Sequence, residues 1–226
     1  MDRATLAERY ERVKRGIPSH VKLIAVSKTR TVEEIQALYD LGHRAFGENY
    51  PQELREKQAL LPSDIEWHFI GHLQSNKVKL IAAFVHLVHG VDSVKLVDEI
   101  DKRAASAGRT IDALLQVHIA LEETKHGFST EELRALLQQP GIGSRWPHVR
   151  IRGLMGMATN TDDHSQVEEE FGDLVRLFHE MKANGPFPAD QFTELSMGMT
   201  DDLDLAIDAG STMVRIGTAI FGERHP

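Results

Sequence analysis

Short apolar runs alternate with longer amphipathic stretches along the whole of this 226-residue chain. The alternation is typical of repeated βα units around a parallel sheet, and eight such strands are enough to close a barrel. We therefore predict an α/β fold, a single (β/α)₈ barrel of the TIM type. The alternative is an open doubly wound sheet, which shows the same alternation but keeps the first and last strands apart. The predicted strands are Leu23–Val26, Arg44–Phe46, Glu66–Ile70, His86–Val88, Ala113–Ile119, Val149–Met155, Phe192–Leu195 and Met213–Ile216.

The helical stretches carry start and stop signals that recur along the chain. Thr31 and Glu34 have the spacing of a capping box, and Gly210 stands where a glycine ends a helix just before the next strand. The chain shows no linker, low-complexity tract or change of composition. We expect one domain over residues 1–226, with an opening helix over residues 1–16 packed on the barrel.

The composition limits the kinds of ligand that the chain binds. The formal net charge is −8, which gives no overall attraction to nucleic acid or to an anionic membrane. Cysteine is absent, which excludes disulfides, thiolate metal sites and cysteine nucleophiles. The start of the chain carries charges every few residues, unlike a signal peptide, and no later run approaches the length of a membrane span. We expect a cytoplasmic monomer with a small-molecule ligand and with no nucleic-acid or membrane partner.

Lys28 is the first candidate for chemistry, because polar residues that follow barrel strands line the active face. It comes two residues after Val26, in the sequence AVSK. Partial burial there would lower the pKa of the ammonium and free the amine to attack a carbonyl carbon. A solvated loop lysine is the alternative interpretation.

Other strand ends are also rich in polar or small residues. Asn49 follows the second strand and His72 follows the third, in loops whose side chains orient a heterocycle or cap the next helix. Met157 follows the sixth strand in the sequence GLMGM, whose glycines permit a flat ring to approach the backbone. Core packing by the methionines is an equal alternative.

The last two strand ends have the composition of a phosphate site. Ser196 ends the seventh strand, and Arg215, Gly217 and Thr218 end the eighth. Barrels often bind a phosphate between these two loops, with backbone N–H groups and hydroxyls as donors and a short helix that adds its positive end. A turn followed by a helix cap is the alternative for the Gly-Thr pair. The expected position of this pair beside Lys28 favours the phosphate.

Histidines that are close in sequence raise the question of a metal site. The pairs are His68 with His72 and His86 with His89. Alternation along a strand sends neighbouring side chains to opposite faces, and we find no carboxylate that completes a set of ligands. We expect no metal site.

Several long motifs occur in order along almost the full chain. They are AVSKT (25–29), FGENYPQE (46–53), WHFIGHLQSNK (67–77), ETKHGF (123–128), LSMGMT (195–200) and VRIGTAIFG (214–222). Together they resemble the pyridoxal phosphate homeostasis protein family. The resemblance implies a barrel like the N-terminal domain of alanine racemase, and a pyridoxal 5′-phosphate (PLP) cofactor held as an imine on Lys28.

The resemblance also implies roles for the other candidates. Ser196, Gly217 and Thr218 would hold the phosphate, and Asn49 would lie beside the ring. Arg215 would face the pyridine nitrogen, and its permanent charge would keep that nitrogen unprotonated and the cofactor a poor electron sink. The candidate cofactor-binding residues are Lys28, Asn49, His72, Met157, Ser196, Arg215, Gly217 and Thr218, with Lys125 as a secondary candidate for handing the cofactor on.

These features favour a protein that carries and buffers PLP through Lys28, without substantial turnover, and that passes it to apo forms of PLP-dependent enzymes. Racemases of this fold place a tyrosine opposite the lysine, whereas the tyrosines here, Tyr10, Tyr39 and Tyr50, all come early in the chain. The alternatives are a weak PLP-dependent racemase and a cofactor-free aldolase that uses Lys28 and the phosphate site on a phosphosugar.

Overall fold

Eight parallel strands close into a barrel in chain order, because the first strand pairs with the second on one side and with the eighth on the other. The computed structural model describes residues 3–122 and 126–223. All eight predicted strands are confirmed with small shifts of their ends, and the closure excludes the open doubly wound sheet. The strands are β1 Lys22–Val26, β2 Ala45–Glu48, β3 Glu66–Phe69, β4 Leu87–Val91, β5 Ile111–Gln116, β6 Val149–Met155, β7 Glu194–Ser196 and β8 Met213–Ile216.

Helices connect the strands on the outside of the barrel. They are α1 Arg3–Arg15, α2 Val32–Asp40, α3 Pro51–Leu60, α4 Val94–Ser106, α5 Thr130–Leu137, α6 His164–Asn184, α7 Leu203–Ala209 and α8 Thr218–Phe221. The predicted capping box starts α2: the Thr31 hydroxyl accepts from the Glu34 N–H, and the Glu34 carboxylate accepts from the Thr31 N–H. Between β3 and β4 the connection is a 3₁₀ helix, Ser75–Leu80, in place of an α-helix.

The first helix, α1, lies on the outer layer of the barrel and contacts α2 and α8. Its apolar residues Leu6 and Tyr10 are buried in this contact. None of the helices in the described residues is long and apolar enough to cross a membrane.

Apolar side chains fill two regions that the strands separate. The region between strands and helices holds the largest buried side chains, such as Phe46 and Phe171, and burying each side chain of this kind stabilises the fold by about 1.5–3 kcal/mol. The second region is a small cluster inside the barrel, with side chains from the neighbouring strands β4, β5 and β6 and from β8. Its members are Leu87, Leu114, Met155 and Met213. The rest of the interior is available to polar side chains.

Candidate functional site

Lys28 and the Gly217-Thr218 pair lie side by side at the end of the barrel where the strands finish. Pairing of β1 with β8 places Ala25 opposite Ile216, so the loops that follow the two strands leave the barrel together. A Cβ atom on Gly217 would lie 3.2 Å from the Cβ of Val26, which explains the glycine at this close approach. Lys28 is half-buried and Thr218 is exposed. The predicted position of the Gly217-Thr218 pair beside Lys28 is therefore present.

A buried ion cluster stands behind the loop that carries Lys28. The Lys57 ammonium donates to the carboxylate of Glu48 over 2.7 Å and to that of Glu53 over 2.6 Å. Lys57 and Glu48 are buried, and burial raises the pKa of Glu48 although Lys57 acts in the opposite direction. One ammonium thus contacts two carboxylates from different elements. Glu53 lies one helical turn before Lys57 on α3, and Glu48 ends β2.

The same cluster holds the residues on either side of Lys28. Lys57 Nζ donates to the backbone oxygen of Ser27 over 2.7 Å, and the backbone N–H of Thr29 donates to Glu53 Oε1 over 2.6 Å. Thr29 has a φ of 63°, a left-handed conformation that is strained for a β-branched residue. The backbone around Lys28 is thus fixed from both sides. The strained backbone conformation occurs at Thr29, the next residue.

Arg215 is a buried cation in the barrel interior. Its guanidinium donates to Ser196 Oγ over 2.6 Å and to the backbone oxygen of Gly156 over 3.0 Å. Burial lowers the pKa of Arg215 to about 10, so the group remains charged at neutral pH. Within residues 3–122 and 126–223 no carboxylate lies at ion-pair distance from this guanidinium. The β7 and β8 ends therefore present a buried positive charge that no carboxylate of the described residues contacts directly, although the charge of Asp202 acts on it from a longer distance.

A chain of polar contacts continues from Ser196 across the barrel. His89 Nδ1 lies 2.8 Å from Ser196 Oγ, and His89 Nε2 lies 2.9 Å from His68 Nδ1. Both rings are fully buried. Because β3 and β4 lie opposite β7, this chain crosses the interior rather than running along one sheet edge. This chain of contacts cannot be predicted from the sequence, since the alternation of a single strand shows which residues point inward but not which of them meet.

Three further candidates surround the same opening. The Asn49 side-chain oxygen is buried and has no hydrogen-bond partner. His72 is exposed, contacts Asp92 over 2.9 Å, and stacks on His126 with ring centroids 4.0 Å apart. Met157 is half-buried against the apolar cluster inside the barrel. Asn49 thus has an unused acceptor, whereas His72 Nδ1 already has a partner in Asp92.

Close packing explains two glycines at the end of β6, Gly153 within the strand and Gly156 directly after it. A Cβ atom on Gly153 would lie 1.8 Å from the backbone oxygen of Glu194 in β7. A Cβ atom on Gly156 would lie 2.6 Å from Leu174 Cδ2 in α6. Both glycines allow close packing of the protein on itself, and the approach of a flat ring to this backbone stays a prediction.

Lys125 lies outside the described residues. The premise that no carboxylate accompanies the histidines is wrong, because the structure forms two groups whose ligand atoms lie within 4.8 Å of one another. These groups are Glu66 with His68 and His86, and Asp92 with His72 and His126.

The fold and this lysine-bearing end define the alanine racemase N-terminal class of barrels. The family model described as alanine racemase, N-terminal domain, matches residues 1–225. A pyridoxal phosphate homeostasis protein of Pasteurella multocida is 44% identical over 211 residues, which cover 91% of this chain and 88% of the relative. The chain belongs to the pyridoxal phosphate homeostasis protein family.

Solved structures agree with this assignment. The structure of PipY from Synechococcus elongatus without PLP has a TM-score of 0.89 at 36% identity, and covers 96% of this chain and 100% of PipY. PipY with PLP bound has a TM-score of 0.85 at 35% identity, with the same coverage of both chains.

Proposed function

We propose that this protein binds PLP at the Lys28 end of the barrel and carries it to other proteins in the cytoplasm, without substantial turnover of a substrate. The observation that supports this most strongly is the buried guanidinium of Arg215, next to Ser196 and without a carboxylate at ion-pair distance in the described residues. A buried charge without a carboxylate in direct contact is costly, and a ligand that accepts hydrogen bonds from it offsets that cost. The names of the relatives and PipY with PLP bound support the same ligand.

The residues at this end fit PLP. Ser196, Gly217 and Thr218 offer hydroxyl and backbone N–H groups to a phosphate beside Lys28. Asn49 has a buried side-chain oxygen that lacks a partner, and a polar group at the edge of the ligand would satisfy it. When bound, PLP supplies an aldehyde and an electron-withdrawing pyridine ring. Lys28 Nζ would be the attachment point for the aldehyde carbon, with the release of one water.

Arg215 is the residue that favours a carrier over an enzyme. A guanidinium facing the pyridine nitrogen donates a hydrogen bond and keeps that nitrogen unprotonated, which weakens the ring as an electron sink. The tyrosines also argue against racemase chemistry. Tyr10 contacts His43 and Tyr39 contacts Asp64, at the opposite end of the barrel. Tyr50 is exposed at the start of α3 and is the tyrosine to include in activity tests.

The first experiment is an absorbance spectrum of the purified protein, before and after borohydride reduction, with peptide mapping of the product. We expect a visible absorption that reduction removes and an adduct on Lys28. Lys28→Ala should abolish the adduct. Lys22→Ala is the matched control, because Lys22 is a half-buried lysine at the other end of the same strand. A protein that stays colourless with added PLP would overturn the proposal and favour the phosphosugar aldolase.

Carrier and enzyme are separated by two further assays on the loaded protein. Turnover of alanine and other amino acids should not exceed that of free PLP, and Tyr50→Phe should not change it. Incubation with the apo form of a PLP-dependent enzyme should restore that enzyme's activity. Amino-acid turnover well above the rate with free PLP would contradict the carrier proposal and favour a racemase.

A further inference from the structure

Three metal-ligating side chains meet at the end of the barrel opposite Lys28. Glu66 and His68 belong to β3, and His86 directly precedes β4. Glu66 Oε2 lies 3.9 Å from His68 Nε2 and 4.0 Å from His86 Nε2. The three ligand atoms all lie within 4.8 Å of one another. Two imidazoles and a carboxylate are a common ligand set for zinc.

The buried histidine of this group has an unused nitrogen. His68 is fully buried, and its Nε2 has no hydrogen-bond partner. Leaving a buried polar atom without a partner costs about 1–3 kcal/mol, so the orphan nitrogen requires an explanation. His68 Nε2 lies on the side of the ring that faces Glu66 and His86. Its separation of 3.9 Å from Glu66 Oε2 is too long for a hydrogen bond.

The other nitrogen of His68 has the partner that a metal ligand needs. Nδ1 lies 2.9 Å from His89 Nε2. A proton on Nδ1, donated to His89, leaves the lone pair of His68 on Nε2. Histidines that bind metals regularly donate their second N–H in this way, which fixes the tautomer and the orientation of the ring.

From this geometry we propose that Glu66, His68 and His86 bind one zinc ion, which joins the start of β3 to the residue before β4. Zinc–nitrogen and zinc–oxygen bonds of about 2.1 Å place tetrahedral ligand atoms about 3.4 Å apart. The separations of 3.9 and 4.0 Å between Glu66 Oε2 and the two histidine nitrogens therefore need to contract by roughly half an ångström. Glu66 and His86 are part-exposed and free to make this adjustment. The group borders a cavity of about 610 Å³, which gives water access to the fourth coordination position.

The charges around the cavity allow a cation to enter. Lys22 contacts Glu66 and is the group that zinc has to displace. The Lys22 side chain is 37% exposed, so its ammonium can turn to water. The arginines are already neutralised: Arg150 pairs with Asp112, and Arg152 pairs with Asp112 and Glu194.

The test is a zinc titration of the full chain, stripped with a chelator, by calorimetry, with Co²⁺ absorption as the reporter of tetrahedral geometry. We expect one ion per chain. His86→Phe should lower the affinity by at least about tenfold. The matched control is His72→Phe, because His72 belongs to the second histidine–carboxylate group at the Lys28 end. That variant should retain the wild-type affinity.

A second variant and a second measurement guard against misfolding. Glu66→Gln should lower the zinc affinity as His86→Phe does. Zinc should raise the melting temperature of the wild type and of His72→Phe but not that of the two site variants, since an ion bound only by the folded state stabilises it. Absence of stoichiometric binding, equal affinity in His86→Phe and wild type, or loss of binding in His72→Phe would overturn the proposal. None of these outcomes depends on PLP.

Discussion

Arg215 Nη1 donates to Ser196 Oγ over 2.6 Å, and this contact joins the ends of β8 and β7 inside the barrel. Ser196 is in turn 2.8 Å from His89 on the far side. The serine hydroxyl is therefore held between a permanent cation and a neutral ring. The arrangement fixes a hydroxyl and a positive charge at the end of the barrel where the proposed function places PLP.

Arg215→Gln should weaken PLP binding by about tenfold to a hundredfold, because a hydrogen bond to a charged group contributes about 1.5–3 kcal/mol. The measurement is the dissociation constant from absorbance titration of the cofactor-free protein. Arg134→Gln is the control, since Arg134 pairs with Glu180 between two outer helices, away from the site. Equal affinity of Arg215→Gln and the wild type would show that Arg215 does not contact the ligand.

The fold could be predicted because each barrel strand contains an apolar run with turn residues around it. The strand ends were harder where polar residues continue the strand. β4 runs on to Val91 through His89 and Gly90, and β2 ends on the buried Glu48, since the interior and the ion cluster accept groups that usually indicate a loop. β5 stops at Gln116, and Val117 makes only an isolated bridge to Phe128.

The site could be predicted only in part, for a similar reason. Lys28, Gly217 and Thr218 follow strands, so the barrel rule alone brings them together. The contact of Lys57 with Glu48 and the contact of His68 with His89 join residues of different elements. Their distances depend on how α3 packs and on how the interior is filled, and neither quantity is visible in the periodicity of one segment.

Lys57→Met should lower the free energy of unfolding by about 3–5 kcal/mol, because it leaves a buried carboxylate without its partner. The side chains of Lys57 and Glu48 are 7% and 0% exposed, so solvent does not replace the lost contact. The double variant Lys57→Met with Glu48→Gln should recover most of the loss, since no buried charge remains. Urea denaturation measures the free energy of unfolding of both variants. A double variant as unstable as the single one would show that the loss of stability comes from packing and not from the unpaired charge.

Acid should destabilise the protein through its buried histidines. Burial lowers the pKa of His43 to about 4 in the folded protein, whereas an unfolded histidine has a pKa of about 6.5. Between these values only the unfolded chain takes up the proton, so the free energy of unfolding falls as the pH drops, by about 3 kcal/mol for His43. Burial acts on His68 and His89 in the same direction.

Urea denaturation across this pH range is the measurement for His43. His43→Gln should reduce the slope of unfolding free energy against pH without removing it, because His68 and His89 remain. His179→Gln, at an exposed position of α6, is the control and should keep the wild-type slope. A slope that His43→Gln leaves unchanged would contradict the assignment of acid sensitivity to this ring.

Thr29→Asn should raise the free energy of unfolding by about 1 kcal/mol, because asparagine tolerates the left-handed conformation that threonine resists. Thr29 has a φ of 63°, and Thr110→Asn, at an exposed threonine without a positive φ, is the control that should show no gain. The contact with Glu53 comes from the Thr29 backbone N–H, so the substitution keeps it. PLP affinity should therefore stay at the wild-type value while stability rises. A parallel fall in affinity would mean that the Thr29 side chain itself contributes to the site.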